Sequence, residues 1–257
     1  LESSADTLRG RVALVTGAAH RLGAAIATEL ARRGCDLVIH YGRSREAAKA
    51  TAEALRQEYG VAVWTAQADL AEPDEIRALF AHVGEETGGL DLLVNSAATF
   101  DSAPLADFDS ERWDRVQAVN LRAPHLCIRH ALPLFAARAG DAAVVNIADL
   151  SGVVPWRDFS AHGVAKAGLL HLTRCAALEL APAVRVNAVV PGAILPPPGE
   201  SAESESWQQV GRRLPLGRPG EPRDVGEAVA FLAAARFVTG EVLFVDGGEH
   251  LYGSTKR

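Results

Sequence analysis

The sequence has 257 residues, 48% hydrophobic and 23% charged, a balance that fits a globular chain and excludes disorder as its main state. Its 26 Lys and Arg against 32 Asp and Glu leave a formal charge of −6, without the basic footprint of a nucleic-acid or anionic-membrane binder. No apolar run reaches the roughly 18–20 residues that a membrane-spanning helix needs. The first six residues carry neither a basic stretch nor an apolar run, so no secretory leader is expected. Cys35, Cys127 and Cys175 are too few and too scattered for a disulfide framework or a zinc site, and a reduced, cytoplasmic protein is expected.

Short apolar runs recur at residues 12–16, 37–41, 61–67, 90–95, 142–147, 184–190 and 241–245. They are continuous rather than alternating, the pattern of parallel strands buried on both faces. After the first run, Leu22, Ile26 and Leu30 fall four apart on one helical face, with Gly34 as the stop. Pro73, Asp74 and Glu75 predict a helix start, and Gly88 and Gly89 its end. A long helix is predicted over 161–180, with Leu169, Leu172, Ala176 and Leu180 on one face. Seven strands alternating with helices predict an α/β chain, a Rossmann-type doubly wound parallel sheet in a single domain over 1–257. The Pro196-Pro197-Pro198-Gly199 run and the polar residues after it depart from this pattern. They follow the sixth strand, at the carboxyl edge where open sheets bind ligands, so residues 193–210 are expected to form a substrate lid.

The first strand runs straight into Thr16-Gly17-Ala18-Ala19-His20-Arg21-Leu22-Gly23 and then a helix. Glycine is needed where backbone approaches a pyrophosphate, and a helix start offers that anion free N–H groups and a positive dipole end. This segment resembles the cofactor turn of the short-chain dehydrogenase/reductase family, T-G-x-x-x-G-x-G, and later motifs follow in the family's order. Asp69-Leu70 resembles its adenine-contacting pair, Asn95-Ser96-Ala97-Ala98 its N-N-A-G element, and Pro191-Gly192 its nicotinamide-side turn; Asn120 stands where the family has a structural and proton-relay asparagine. Arg21 replaces one family glycine, and T-G-A-A-x-R-x-G resembles the pteridine reductase branch. His40-Tyr41-Gly42-Arg43-Ser44, Phe100 and residues 185–191 point the same way. The resemblance implies that Gly17, Arg21, Leu22, Gly23, Tyr41, Arg43, Ser44, Asp69, Leu70, Asn95, Ser96, Ala97, Lys166, Pro191 and Gly192 bind the cofactor. It also implies a homotetramer acting on a small-molecule substrate. The second strand ends without a carboxylate before Glu46, whereas Arg43 and Ser44 can donate to a 2′-phosphate, so NADP (NADPH) is expected over NAD.

Family members carry Ser, then Tyr thirteen residues on, then Lys four further; here those positions hold Asp149, His162 and Lys166, with 162 − 149 = 13 and 166 − 162 = 4. The i, i+4 spacing puts His162 and Lys166 on one helix face. Asp149 again resembles pteridine reductases, where an aspartate serves pterin binding and proton delivery; a carboxylate pairs with the amidine-like edge of a 2-amino-4-oxo ring. With Asn120, these three form the expected catalytic set. Arg21, Phe100, Asp149 and His162 are the expected substrate contacts, Phe100 as a flat stacking wall. His162 departs from family and branch alike. A neutral imidazole that gave up its proton would become an imidazolate, so acid catalysis by His162 requires the protonated ring and improves as pH falls. Three readings stay open: His162 is the proton donor, or Asp149 with water carries the proton while His162 positions substrate, or the protein binds cofactor with little or no turnover. Ketone reduction, as elsewhere in the family, is the alternative chemistry. Ala98 and Ser96 thin the hydrogen-bonding shell, Ser151 is a spare hydroxyl two positions off register, and Trp156 and Trp207 flank the presumed mouth. The remaining histidines have no metal-ligand spacing, and no metal is expected.

Overall fold

The computed structural model describes residues 8–138, 140–197 and 199–256; the leader-free start predicted for residues 1–6 lies outside them. Seven parallel strands form one sheet in the order β3-β2-β1-β4-β5-β6-β7. They are β1 (Val12–Val15), β2 (Asp36–Tyr41), β3 (Val63–Gln67), β4 (Leu92–Asn95), β5 (Ala142–Ile147), β6 (Val184–Pro191) and β7 (Val242–Val245). Each falls on one of the seven apolar runs. Their continuity has the expected cause: on β1, Ala13 and Val15 enter one core cluster while Val12 and Leu14 enter another on the opposite face. On β2, Leu37 and Ile39 divide from Val38 in the same way.

The first core lies under α1 (Arg21–Arg32), α2 (Arg45–Tyr59) and α8 (Pro222–Ala234), the second under α3 (Pro73–Thr87), α5 (Ala123–Arg138) and α6 (Ser160–Leu180). Helix α3 begins at Pro73 and ends at Gly88, which is left-handed at φ +71° and returns its N–H to the Gly84 carbonyl at 2.9 Å. Helix α4 (Ser110–Gln117) runs through a π-helical turn (Ala118–Arg122) into α5. Apolar spacing does not reveal that turn, and it carries Asn120.

The predicted lid stretch holds a helix of its own, α7 (Glu205–Arg212), capped where the Ser204 hydroxyl accepts the Trp207 N–H at 3.2 Å. Trp207 is buried on this helix. Chain order reverses between β1 and β4, so the turns after these strands open a crevice at the carboxyl edge. Among the described residues no helix is long and apolar enough to cross a membrane.

Candidate active site

The turn after β1 packs tightly. Gly17 adopts φ +66°, and a Cβ there would lie 2.8 Å from the Ala97 Cα; a Cβ on Gly23 would lie 2.3 Å from the Gly17 carbonyl oxygen. Bare backbone at both positions brings the start of α1 against the turn, and His20 ahead of it makes no side-chain bond to the first amides. The Thr16 hydroxyl accepts from the Ser96 and Ala97 amides at 2.9 and 3.0 Å, locking the β4 turn beside it. Arg21 occupies the left-handed region at φ +53°, the conformation glycine takes without strain, and its guanidinium donates to the Pro196 carbonyl at 2.8 Å. It therefore ties the glycine turn to the start of the 193–210 segment.

The other expected cofactor residues separate by environment. Arg43 is exposed, and Ser44 heads α2 with no side-chain capping bond, so both are available to an anion. Leu22 packs at the edge of the first core, and Tyr41 and Leu70 are buried. Asp69 is already engaged, accepting from the Ala71 amide at 2.9 Å and Arg115 at 2.9 Å. Burial pushes its carboxyl up, but these two partners outweigh burial and hold it below the usual range. Asn95 donates to Asn146 at 2.8 Å and Asn146 to Thr173 at 2.9 Å, a buried polar chain that supports β4 and β5. Pro191 closes β6, and Gly192 lies so near Asp246 that a Cβ would come within 2.7 Å of that residue's own.

The thirteen-residue interval becomes a contact, and the four-residue one places His162 and Lys166 together on α6. Asp149 follows β5 and caps a short 3-10 turn, Leu150–Gly152, which reaches α6 because Gly152 has no Cβ: one would stand 2.8 Å from the Lys166 carbonyl carbon. From there Asp149 Oδ2 meets His162 Nε2 at 2.5 Å. Asp149 Oδ1 accepts from the Ser151 amide at 2.8 Å and from the Ser151 hydroxyl. Ser151 thus holds Asp149 in place. Burial opposes ionisation of Asp149, but the His162 hydrogen bond and the Lys166 charge outweigh it and bring its pKa to about 2. Lys166 is buried, donates to the Ile147 carbonyl at 2.8 Å, and is pushed down by burial against the pull of Asp149.

The second imidazole nitrogen, His162 Nδ1, lies 3.1 Å from both the Thr99 carbonyl and the Asn120 side-chain nitrogen. Thr99 and Asn120 are themselves joined by two 2.8 Å hydrogen bonds, one in each direction. His162 is 1% exposed, whereas the Asp149 side chain is 19% exposed, so the carboxylate is the member of the pair that meets the crevice. Phe100 is 63% exposed and is not a core residue. Its ring rests against Phe159 at 4.7 Å and meets the His162 ring edge-on at 4.9 Å; Trp156 packs edge-on behind Phe159 at 5.9 Å. Arg112 steadies this loop through a two-pronged bond to Asp101 at 2.9 and 2.6 Å. Thr99 and Phe159 escape sequence reasoning: one acts through its backbone oxygen, and the other lies outside the helix whose spacing exposes His162 and Lys166.

Residues 17–250 match the family model described as enoyl-(acyl carrier protein) reductase. The chain is 41% identical over 242 residues, 93% of its length and 96% of the other's, to cis-4-hydroxycyclohexanecarboxylate dehydrogenase of Sinomonas cyclohexanicum. Among solved structures, FolM alternative dihydrofolate reductase 1 from Brucella canis, complexed with NADP, superposes with a TM-score of 0.86 at 32% identity, covering 98% of both chains. The Pseudomonas aeruginosa RhlG/NADP active-site complex gives 0.88 at 32% identity, covering 96% of this chain and 99% of that one. With the sheet order, the glycine turn and the spaced Asp149, His162 and Lys166 in place, this match over nearly the whole length makes the chain a member of the short-chain dehydrogenase/reductase family, an oxidoreductase using a nicotinamide cofactor.

Proposed function

We propose that the protein is an NADPH-dependent reductase of the C=N bond of a dihydropterin or related 2-amino-4-oxo heterocycle. The observation that carries this reading is the Asp149 carboxylate, favoured in its charged form, partly exposed, and bonded to the His162 ring that the exposed Phe100 meets edge-on. A carboxylate accepts hydrogen bonds from an amino group and ring N–H, whereas a ketone oxygen presents only lone pairs to it. Phe100 supplies the flat wall for such a ring, and the likeness to FolM is consistent with it.

Gly17, Gly23 and the α1 amides would hold the pyrophosphate, Arg43 and Ser44 the 2′-phosphate, and Lys166 the nicotinamide ribose. The cofactor, when bound, supplies the hydride. The residues of the chain deliver the proton: it passes from His162 Nε2 to Asp149 Oδ2 and on to the ring nitrogen. Asp149 is left a carboxylate and His162 a neutral ring with its remaining N–H on the Thr99 carbonyl. A carboxyl group held this low is a strong donor once it receives a proton. In this reading residues 193–210 close over the mouth, latched by Arg21.

A second reading is oxidation of a ring alcohol, favoured by the 41% identity to a hydroxycyclohexanecarboxylate dehydrogenase. A hydroxyl also suits a site that offers one acceptor and one donor. The test is anaerobic NADPH oxidation with 7,8-dihydrobiopterin at pH 5, 6 and 7, run beside NADP reduction with cis-4-hydroxycyclohexanecarboxylate. Tetrahydrobiopterin formed faster at lower pH is the expected result. Turnover of the alcohol alone overturns the pterin reading, and tight NADPH binding without turnover of either overturns both.

A further inference from the structure

His40 is the penultimate residue of β2, 1% exposed, and takes no part in the chemistry above. Its Nδ1 lies 3.1 Å from the Gly17 amide nitrogen and its Nε2 3.1 Å from the Ala68 carbonyl oxygen. An amide N–H only donates and a carbonyl only accepts, so these partners fix the neutral ring with its proton on Nε2. Gly17 opens the glycine turn after β1, and Ala68 immediately precedes Asp69 and Leu70. One imidazole therefore bridges the two loops that the family reading assigns to opposite ends of the dinucleotide.

We infer that His40 is a positioning residue for the cofactor, holding the Gly17 amide and the Ala68 carbonyl so that the pyrophosphate turn and the adenine side form one rigid seat. The Gly17 bond is the decisive one. Gly17 sits at φ +66°, and its amide has this ring nitrogen as acceptor, so removing the acceptor releases the conformation that shapes the turn. Because the turn that His40 holds would meet the pyrophosphate common to both dinucleotides, it would serve NADPH and NADH alike. The inference rests on the family's nicotinamide site but is independent of the pterin reading.

Three variants separate its parts. His40→Asn places a side-chain oxygen where Nδ1 stands and keeps the acceptor for Gly17. His40→Gln places an amide nitrogen where Nε2 stands and keeps only the donor to Ala68. His40→Leu keeps neither. Dissociation constants for NADPH and NADH are measured by cofactor fluorescence, beside the Tm of each cofactor-free variant. The Leu and Gln variants are expected to bind both cofactors about tenfold more weakly, the loss of roughly one positioned hydrogen bond. The Asn variant stays within about threefold of the parent, while the Asn and Gln variants share a similar Tm. A Gln variant that binds as well as the Asn variant, or affinities that merely follow Tm, overturns the positioning role. A parent protein that binds neither dinucleotide overturns the nicotinamide site itself and is distinguished from both.

Discussion

His40 and His162 are both 1% exposed and both lie at the carboxyl edge of the sheet, yet their surroundings ask opposite things of an imidazole. His40 faces a fixed donor and a fixed acceptor, so only one protonation state keeps both bonds. Burial pushes its pKa down to about 4, against the Ala68 hydrogen bond and the Asp69 charge. His162 points Nε2 at a carboxylate and Nδ1 at two groups of opposite kind, the Thr99 carbonyl and the Asn120 amide nitrogen. With a proton on Nδ1 the ring donates to Thr99; without it the ring accepts from Asn120. In the proposed transfer the proton leaves Nε2, so Nδ1 keeps its proton on the Thr99 carbonyl and the ring holds its orientation before and after the loss. Burial alone does not separate the two histidines; what differs is that only His162 faces a carboxylate, a partner able to take its proton.

The largest effects are expected on the His162 side. Asp149→Asn removes the acceptor charge, and His162→Phe removes the ring that feeds it. Each should lower kcat by about 10²–10⁴-fold, the usual range for a lost acid-base group. NADPH dissociation should stay within about threefold, the reverse of the pattern expected at His40. Steady-state kinetics beside fluorescence titration decide this. A His162→Phe enzyme with parental kcat would reduce His162 to a second buttress and erase the contrast.

The contrast also predicts a pH dependence of stability. The folded-state pKa of His40, about 4, lies below the unfolded value of about 6.5. Between these values the unfolded chain binds a proton that the folded chain refuses. The contribution is fully present above pH 6.5 and declines as pH falls toward 4, by up to about 3 kcal/mol. Urea unfolding of the parent and of His40→Asn at pH 7 and pH 4.5 isolates it: the parent should lose clearly more stability between the two. Equal losses would mean that the ring is not held neutral.

Much of this site is legible in the chain because it rests on spacing. The i, i+4 spacing predicts His162 and Lys166 on one face of a helix, both lie on α6, and Asp149 meets the His162 ring at 2.5 Å. Glycines 17 and 23 foretell a close backbone approach, and the strand runs foretell the sheet, since continuous apolar residues have two buried faces to fill. What sequence cannot show is contact made by groups every residue carries. The Thr99 carbonyl, the Gly17 amide and the Ala68 carbonyl are chemically anonymous until the fold brings them to a side chain. The π-helical turn at Asn120 and the α7 helix within the proline-rich segment are hidden for a related reason: tertiary packing sets them against, or without, a local pattern.

The smallest expected effect concerns Arg21, the residue joining the glycine turn bonded by His40 to the start of the 193–210 segment. A non-glycine residue at φ +53° costs about 1 kcal/mol, and Arg21→Gly removes that cost. It also removes an exposed hydrogen bond to the Pro196 carbonyl, a loss of about 0.5–1.5 kcal/mol. The terms nearly cancel, so the Tm should move by only a few degrees in either direction. The consequence should appear in the 193–210 segment, whose polar stretch would be cut faster by a broad-specificity protease at unchanged global stability. The KM for NADPH should rise a few-fold with the lost cation. Unchanged cleavage together with an unchanged KM would make Arg21 a strained surface residue and leave the glycine turn mechanically independent of the 193–210 segment.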